Sequence, residues 1–193
     1  MNDLVLFLPE LLITSLAFLV ISIDMFYRPA GKHLLPLLAI TSLLAILTYS
    51  FVGIWNTDGS IYDGLLVVDK FSIFFKSFFI ILVVIIILSS ADYVKNHLDY
   101  RGEYYGLLLF TLVAMMLMVS SRELLTSYIS LELLSFGLYV LVAYERFNLK
   151  SNEAATKYIL LGALSSAFLL YGISQIYGLL GTTRYDDINS AMI

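Results

Sequence analysis

Six long apolar runs dominate the sequence and restrict the folds that it can adopt. A helix needs about 20 residues to cross the roughly 30 Å hydrocarbon core of a bilayer. Runs close to this length cover approximately residues 4–26, 34–55, 71–91, 104–120, 124–144 and 153–180. A helix satisfies its backbone hydrogen bonds within its own segment, as lipid demands. The sequence therefore predicts an all-α integral membrane protein with six transmembrane helices.

The composition supports a membrane protein and excludes several classes of site. Hydrophobic residues make up 60% of the chain and charged residues 13%, whereas soluble domains are about 45–50% apolar and about 25% charged. The net charge of -4 argues against a nucleic-acid partner, which requires a basic face. Because the chain has no cysteine, thiolate-bound zinc, iron–sulfur clusters and disulfides are excluded. The lipid bilayer is the first expected partner.

The positive charges in the loops predict the orientation. Cytoplasmic loops of membrane proteins carry an excess of Lys and Arg. With the N-terminus outside, six such residues lie in inner loops and three in outer loops. The inner set is Arg28, Lys32, Lys95, Arg101, Arg146 and Lys150, and the outer set is Lys70, Arg122 and Arg184. We therefore expect an N-out protein whose C-terminus is also outside.

The chain divides into two predicted regions. Residues 1–103 contain the first three helices, with a turn or small hairpin on the outer face at 56–69. This segment contains Asp58-Gly59 and Asp63-Gly64, and Asp-Gly pairs suit turns that need positive φ. Residues 104–193 hold the remaining three helices.

Four charged residues near helix ends have ordinary structural interpretations. Asp24 and Arg28 are spaced to form an i,i+4 pair. Glu10 is expected to be a solvated interfacial carboxylate. Lys76 stands among phenylalanines about 8 Å from its helix start, so it is expected to extend to the interface.

Glu132 is the strongest candidate for a functional residue because it lies near the middle of the fifth run. A charge near a bilayer centre costs about 2.5–3.5 kcal/mol on insertion scales, so such residues usually have a function. Tyr128, Ser135 and Tyr139 share its helical face by spacing, and their hydroxyls could hold water or exchange a proton. The alternative is a permanently protonated glutamic acid that hydrogen-bonds across a helix interface.

Lys157 is the second candidate, one turn inside the sixth run. It follows Glu153 by four residues, so a salt-bridged lysine at the membrane interface remains an alternative. In antiparallel helices Glu132 and Lys157 are offset by roughly 12 Å along the axis. This offset favours a relay through water over a direct ion pair.

The sixth run also carries small residues with helical spacing: Gly162, Ala163, Ser166 and Ala167. Such residues let two helices approach closely, so they predict a packing surface.

Three stretches of the sequence resemble subunit N of bacterial NADH:quinone oxidoreductase, respiratory complex I, called subunit 2 in mitochondria and chloroplasts. They are DGLLVVDKFSIFFK, GEYYGLLLFTLVAMMLMVSSRELLTSYISLELLSFGLYVLVAYER and NEAATKYILLGALSSAFLLYGISQIYGLLGTT. The resemblance covers essentially all 193 residues. It implies the N-terminal part of an antiporter-like subunit, with 104–193 as the first, incomplete part of the repeat.

The resemblance also implies a function. Such a subunit moves protons in the membrane arm while NADH and quinone react in other subunits. The family's proton-channel glutamate maps onto Glu132 and its helix-six lysine onto Lys157, and no cofactor or metal is expected on this chain. Other membrane-arm subunits are the implied partners, in a bacterial cytoplasmic membrane or, alternatively, an organellar inner or thylakoid membrane.

One departure from the family pattern is important. Family members have about fourteen helices, and the lysine that pairs with the channel glutamate lies on the helix after the sixth. The sequence ends before that helix, so we expect either a fragment or a subunit split between two polypeptides, with a second chain carrying the remaining helices. The alternatives are a subunit of a multisubunit cation/proton antiporter, a structural membrane scaffold and, with weaker support, a self-contained transporter.

Overall fold

The computed structural model describes residues 3–26, 34–55 and 57–192. In these ranges the helices are α1 (Asp3–Leu6), α2 (Leu8–Phe26), α3 (Leu35–Tyr49), α4 (Lys70–His97), α5 (Arg101–Ser120), α6 (Leu124–Val142), α7 (Leu149–Leu180) and α8 (Tyr185–Ala191). A π-helical turn, Ser50–Ile54, continues α3. Six helical segments, α2 to α7 with the π turn included in α3, are long and apolar enough to cross a membrane. The prediction of an all-α membrane fold with six spanning helices is confirmed. Arg28 and Lys32 lie outside the described residues, and with them the predicted Asp24–Arg28 pair.

The ends of the long helices follow local sequence signals. Asp69 accepts a hydrogen bond from the backbone N–H of Ser72 at 2.7 Å, and the Ser72 hydroxyl accepts one from the Asp69 N–H. This reciprocal capping box starts α4. Asn148 caps the start of α7, and Gly181, in the left-handed conformation with φ 69°, ends that helix.

Helix α5 lies at the centre of the helix bundle, against α2, α4 and α6. It approaches α2 closely because Gly102 and Gly106 have no side chain: a Cβ at Gly106 would lie 2.4 Å from Ile21 Cγ1. Tyr105, Leu109 and Leu112 of α5 are buried in the main core. The main core contains residues from both predicted regions, 1–103 and 104–193. The division of the chain into these two regions stays a prediction.

One end of the bundle is closed by a small hairpin of two antiparallel strands, β1 (Gly59–Ile61) and β2 (Leu66–Val68). The predicted hairpin at 56–69 is therefore present, and its turn uses positive φ at Tyr62, Asp63 and Gly64. Isolated bridges join Leu66 to Ser121 and Glu123 to Arg184, so the hairpin is linked to the α5–α6 and α7–α8 connections. We call this the hairpin end; the end with residues 98–100 and 143–148 is the loop end.

The structure contradicts the expectations for Glu10 and Lys76. Neither side chain reaches an interface, because the Lys76 Nζ and a Glu10 carboxylate oxygen form an ion pair at 2.6 Å with side chains 5% and 2% exposed. Their distances from the helix ends suggested access to water. The hairpin and α5 cover that region: Ile61 and Leu66 of the hairpin and Leu117 of α5 line the space around the pair.

Candidate functional site

Glu132 lies within α6, ten residues before the helix ends at Val142, or about 15 Å from the loop end by helical rise. Its side chain is half-buried. The Ser166 hydroxyl of α7 donates a hydrogen bond to Glu132 Oε1. The carboxylate is thus held between two spanning helices by a partner outside its own helix.

The contact between α6 and α7 continues about two helical turns beyond Glu132, toward the loop end. Tyr139 is 9% exposed, and its ring packs edge-on against Tyr158 with ring centroids 4.8 Å apart. The Tyr139 hydroxyl fits over Gly162, where an added Cβ would lie 1.9 Å from the oxygen. Gly162 and Ser166 therefore face α6, and the predicted small-residue packing surface is confirmed at these two positions.

Beside Glu132 is a cavity of about 530 Å³ between α5, α6 and α7. Glu132 and Ala163 line its part within the helices, and Leu107 and Phe136 are among the apolar residues of its wall. Glu103, at the start of α5, and Arg146 of the α6–α7 connection line it at the loop end. The cavity therefore extends from the carboxylate in the middle of α6 to the charged loop end.

Polar side chains at the loop end surround this opening. Arg146 lies 3.9 Å from a Glu103 carboxylate oxygen, a largely exposed pair that contributes little to stability. The same guanidinium lies over the Tyr100 ring, 5.5 Å from its centroid. The Tyr144 hydroxyl donates to the Tyr100 carbonyl, and burial, followed by the negative charge of Glu103, raises the pKa of Tyr144.

Lys157 is not among the residues that line this cavity. Its ammonium forms an i,i+4 ion pair with the Glu153 carboxylate. The Lys157 side chain is 69% exposed in this chain alone. Among the described residues there is no ion pair between Lys157 and Glu132. Ser166, the hydrogen-bond partner of Glu132, lies nine residues further along α7, about 13 Å by rise, which agrees with the predicted offset.

The predicted polar face of Glu132 is only partly assembled. Tyr139 lines the cavity together with Glu132, whereas Tyr128 and Ser135 are not part of its wall. Within the described part of the chain, no hydrogen bond joins Glu132 to any of these three residues. Sequence reasoning missed Ser166 as the partner, although its place on the small-residue face was the available signal.

In the described ranges, no group of three or more His, Cys, Asp and Glu residues is arranged to hold a metal ion.

Comparison with known proteins identifies the relatives of this chain. Residues 121–192 match the family model described as "NADH:quinone oxidoreductase/Mrp antiporter, TM". NADH-quinone oxidoreductase subunit N of Trichlorobacter lovleyi is 40% identical over 185 residues, which is 95% of this chain and 37% of the relative. Subunit N of Desulfitobacterium hafniense is 44% identical over 154 residues, 80% of this chain and 31% of the relative. The chain is a relative of NADH-quinone oxidoreductase subunit N.

Solved structures agree with this relationship. A chain of respiratory complex I from Thermus thermophilus with bound aureothin matches 91% of this chain and 38% of its own length, with a TM-score of 0.74 and 27% identity. A chain of the membrane-bound sulfane sulfur reductase, an archaeal respiratory membrane complex, has a TM-score of 0.72 at 21% identity and shares the fold. The resemblance to subunit N predicted from the sequence is confirmed. The chain spans less than two fifths of the length of the relatives described here.

Proposed function

We propose that this chain is a proton-translocating part of the membrane arm of an NADH:quinone oxidoreductase, with Glu132 as the relay carboxylate. One observation carries the proposal: Glu132 is hydrogen-bonded by Ser166 between two spanning helices and borders a cavity that extends to the loop end. This arrangement supports the proposal because it holds the carboxyl group in position and leaves a space beside it that reaches the loop end.

The chemistry of the site suits proton transfer. A carboxyl group binds and releases one proton, a hydroxyl donor favours its charged form, and apolar surroundings favour its neutral form. Glu132 has both kinds of neighbour: Ser166 donates a hydrogen bond to it, and Phe136 and Leu107 line the space beside it. In the proposal, Glu132 gains and loses a proton as a neighbouring charge moves.

We assign Lys157 the role of relay amine on the basis of the resemblance. Its ammonium pairs with Glu153, and competition between this carboxylate and another acceptor would let the positive charge move. In this proposal NADH and quinone react in other subunits, the chain itself holds no cofactor, and the other membrane-arm subunits are its partners. A second polypeptide or a longer chain supplies the remaining helices, in a bacterial cytoplasmic membrane.

The proposal is tested by measuring protons moved per NADH oxidised in closed vesicles that contain the assembled complex. Glu132→Gln removes the titratable group at nearly constant size. We expect the proton-to-electron ratio to fall while the amount of the chain in the complex is unchanged. Glu145→Gln is the matched control, because this carboxylate lies in the α6–α7 connection and does not line the cavity.

The same vesicles distinguish the alternative functions. The family description also includes Mrp antiporters, and for such a subunit proton movement would follow an imposed sodium or potassium gradient without NADH. A structural scaffold would leave the proton-to-electron ratio of Glu132→Gln equal to that of the parent protein.

A further inference from the structure

A buried ion pair lies between α2 and α4 at the hairpin end, on helices other than the two that hold Glu132. Glu10 is in the first turn of α2 and Lys76 in the second turn of α4. The two side chains are at least 95% buried and form an ion pair at 2.6 Å. Neither residue takes part in the site proposed for proton transfer.

The surroundings of the pair are closed and almost dry. The space bordered by Glu10, Lys76 and Ser120 has no room for a water molecule, and the void beside Lys76 and Ser50 measures about 10 Å³. A single water needs at least about 10–15 Å³. Among the described residues, the spaces beside the pair therefore leave no room for a chain of waters that would carry protons between it and either membrane surface.

The polar groups around the pair are incompletely satisfied. Glu10 Oε2 and Ser120 Oγ are buried and have no hydrogen-bond partner in the described part of the chain. An ion pair with an unsatisfied oxygen is a poor source of stability compared with apolar residues of the same size. We therefore look for the role of this ion pair in the relative position of the two helices that carry it.

The hydrophobic effect does not fix the relative position of two apolar helices in lipid, because lipid tails are as apolar as the helix side chains. A buried charge on each of two helices changes this, since either charge alone is strongly unfavourable and only one register brings them together. We propose that the Glu10–Lys76 ion pair is a latch that fixes α2 against α4 beneath the hairpin, and that it carries no proton.

The latch predicts a specific pattern among three variants of the intact complex. Glu10→Met and Lys76→Met each leave one buried charge without a partner, so the amount of the chain in the membranes falls several-fold. The double variant E10M/K76M replaces the pair with apolar residues of similar length and restores most of that amount. Its proton-to-electron ratio equals that of the parent complex.

Arg122→Met is the matched control for loss of a cation. Arg122 pairs with Asp69 at 2.8 Å, but its side chain is 46% exposed, so the amount of the chain should not change. Immunoblots of membranes give the amounts, and vesicle assays give the ratio.

Each opposing result overturns the latch. Single variants that accumulate like the parent would show that the pair fixes nothing. A double variant that accumulates as poorly as the single ones would show that each charge is needed separately. A double variant that assembles but moves fewer protons would place the pair in the proton route. The amounts do not depend on the role of Glu132, so the latch and the proposed function fail separately.

Discussion

Gly162→Ala tests whether the close contact of α6 and α7 holds the site together. An added Cβ would lie 1.9 Å from the Tyr139 hydroxyl oxygen and 2.8 Å from Cζ. Ordinary contact begins at about 3.5 Å, so the ring and the new methyl must separate by about 1.6 Å. Tyr139 cannot turn away freely, because it is buried and packed edge-on against Tyr158.

The cost follows from overpacking. Inserting a methyl group into a packed interface typically costs about 1–3 kcal/mol, while alanine gains about 1 kcal/mol over glycine in helix propensity. We expect a net loss of up to about 2 kcal/mol, together with a weaker Ser166–Glu132 hydrogen bond, since Ser166 follows Gly162 by one helical turn. Thermal unfolding of the purified complex and the proton-to-electron ratio are the two measurements.

Gly172→Ala is the control on the same helix, because a Cβ there would have no neighbour within 4 Å. We expect it to be neutral or stabilising. Tyr139→Phe removes the atom nearest to the new methyl, so it should partly rescue Gly162→Ala. Equal stability of the two alanine variants, or no rescue by Tyr139→Phe, would refute the packing argument.

Three further predictions use polar contacts. Ser166→Ala removes the hydrogen bond to Glu132 and should lower the rate of proton transfer in the vesicle assay without loss of assembly. Asn148→Ala removes the acceptor for the Lys150 and Ser151 N–H groups at the start of α7 and should cost about 1 kcal/mol in unfolding experiments. Hydrogen bonds from Tyr93, and then from Asn148, lower the pKa of Glu145; its contribution to stability is therefore present above the unfolded pKa and is lost as the pH falls through the lower folded value. Infrared titration of Tyr93→Phe should show that pKa rising toward the ordinary range.

Controls for these variants come from neighbouring positions. Ser165 donates to the Leu161 carbonyl of its own helix, so Ser165→Ala should leave proton transfer unchanged; an equal loss in both serine variants would contradict the role of Ser166. Asn148→Ser retains an acceptor at the helix start without placing a second negative charge beside Glu145, so its stability should stay closer to that of the parent than that of Asn148→Ala. A Glu145 titration that is the same with and without the Tyr93 hydroxyl would exclude the stated cause.

The fold was largely predictable because apolar length identifies spanning helices. The observed helix ends differ from the predicted ones where a helix is longer than its apolar run. Helix α4 continues to His97, beyond the predicted end at 91, because its backbone hydrogen bonds persist after the apolar run stops. The predicted first helix, 4–26, is two helices, α1 and α2, with Phe7 between them. Apolar composition does not reveal such interruptions.

The level of Glu132 on α7 was predictable, whereas its hydrogen-bond partner was missed. The predicted offset of roughly 12 Å from Lys157 is about eight residues of helix, which leads to the segment around Ser166. The small-residue face indicated that this segment contacts α6, but helical spacing does not show which hydroxyl there donates to the carboxylate. Glu10 and Lys76 were misassigned because distance from a helix end measures depth only where nothing covers that end.

Infrared difference spectroscopy of the assembled complex during NADH oxidation tests most directly whether Glu132 changes protonation. The account predicts a signal in the region of the protonated carboxyl C=O stretch that is absent in Glu132→Gln and retained in Glu145→Gln. A spectrum of Glu132→Gln that is identical to that of the parent complex would contradict the central claim.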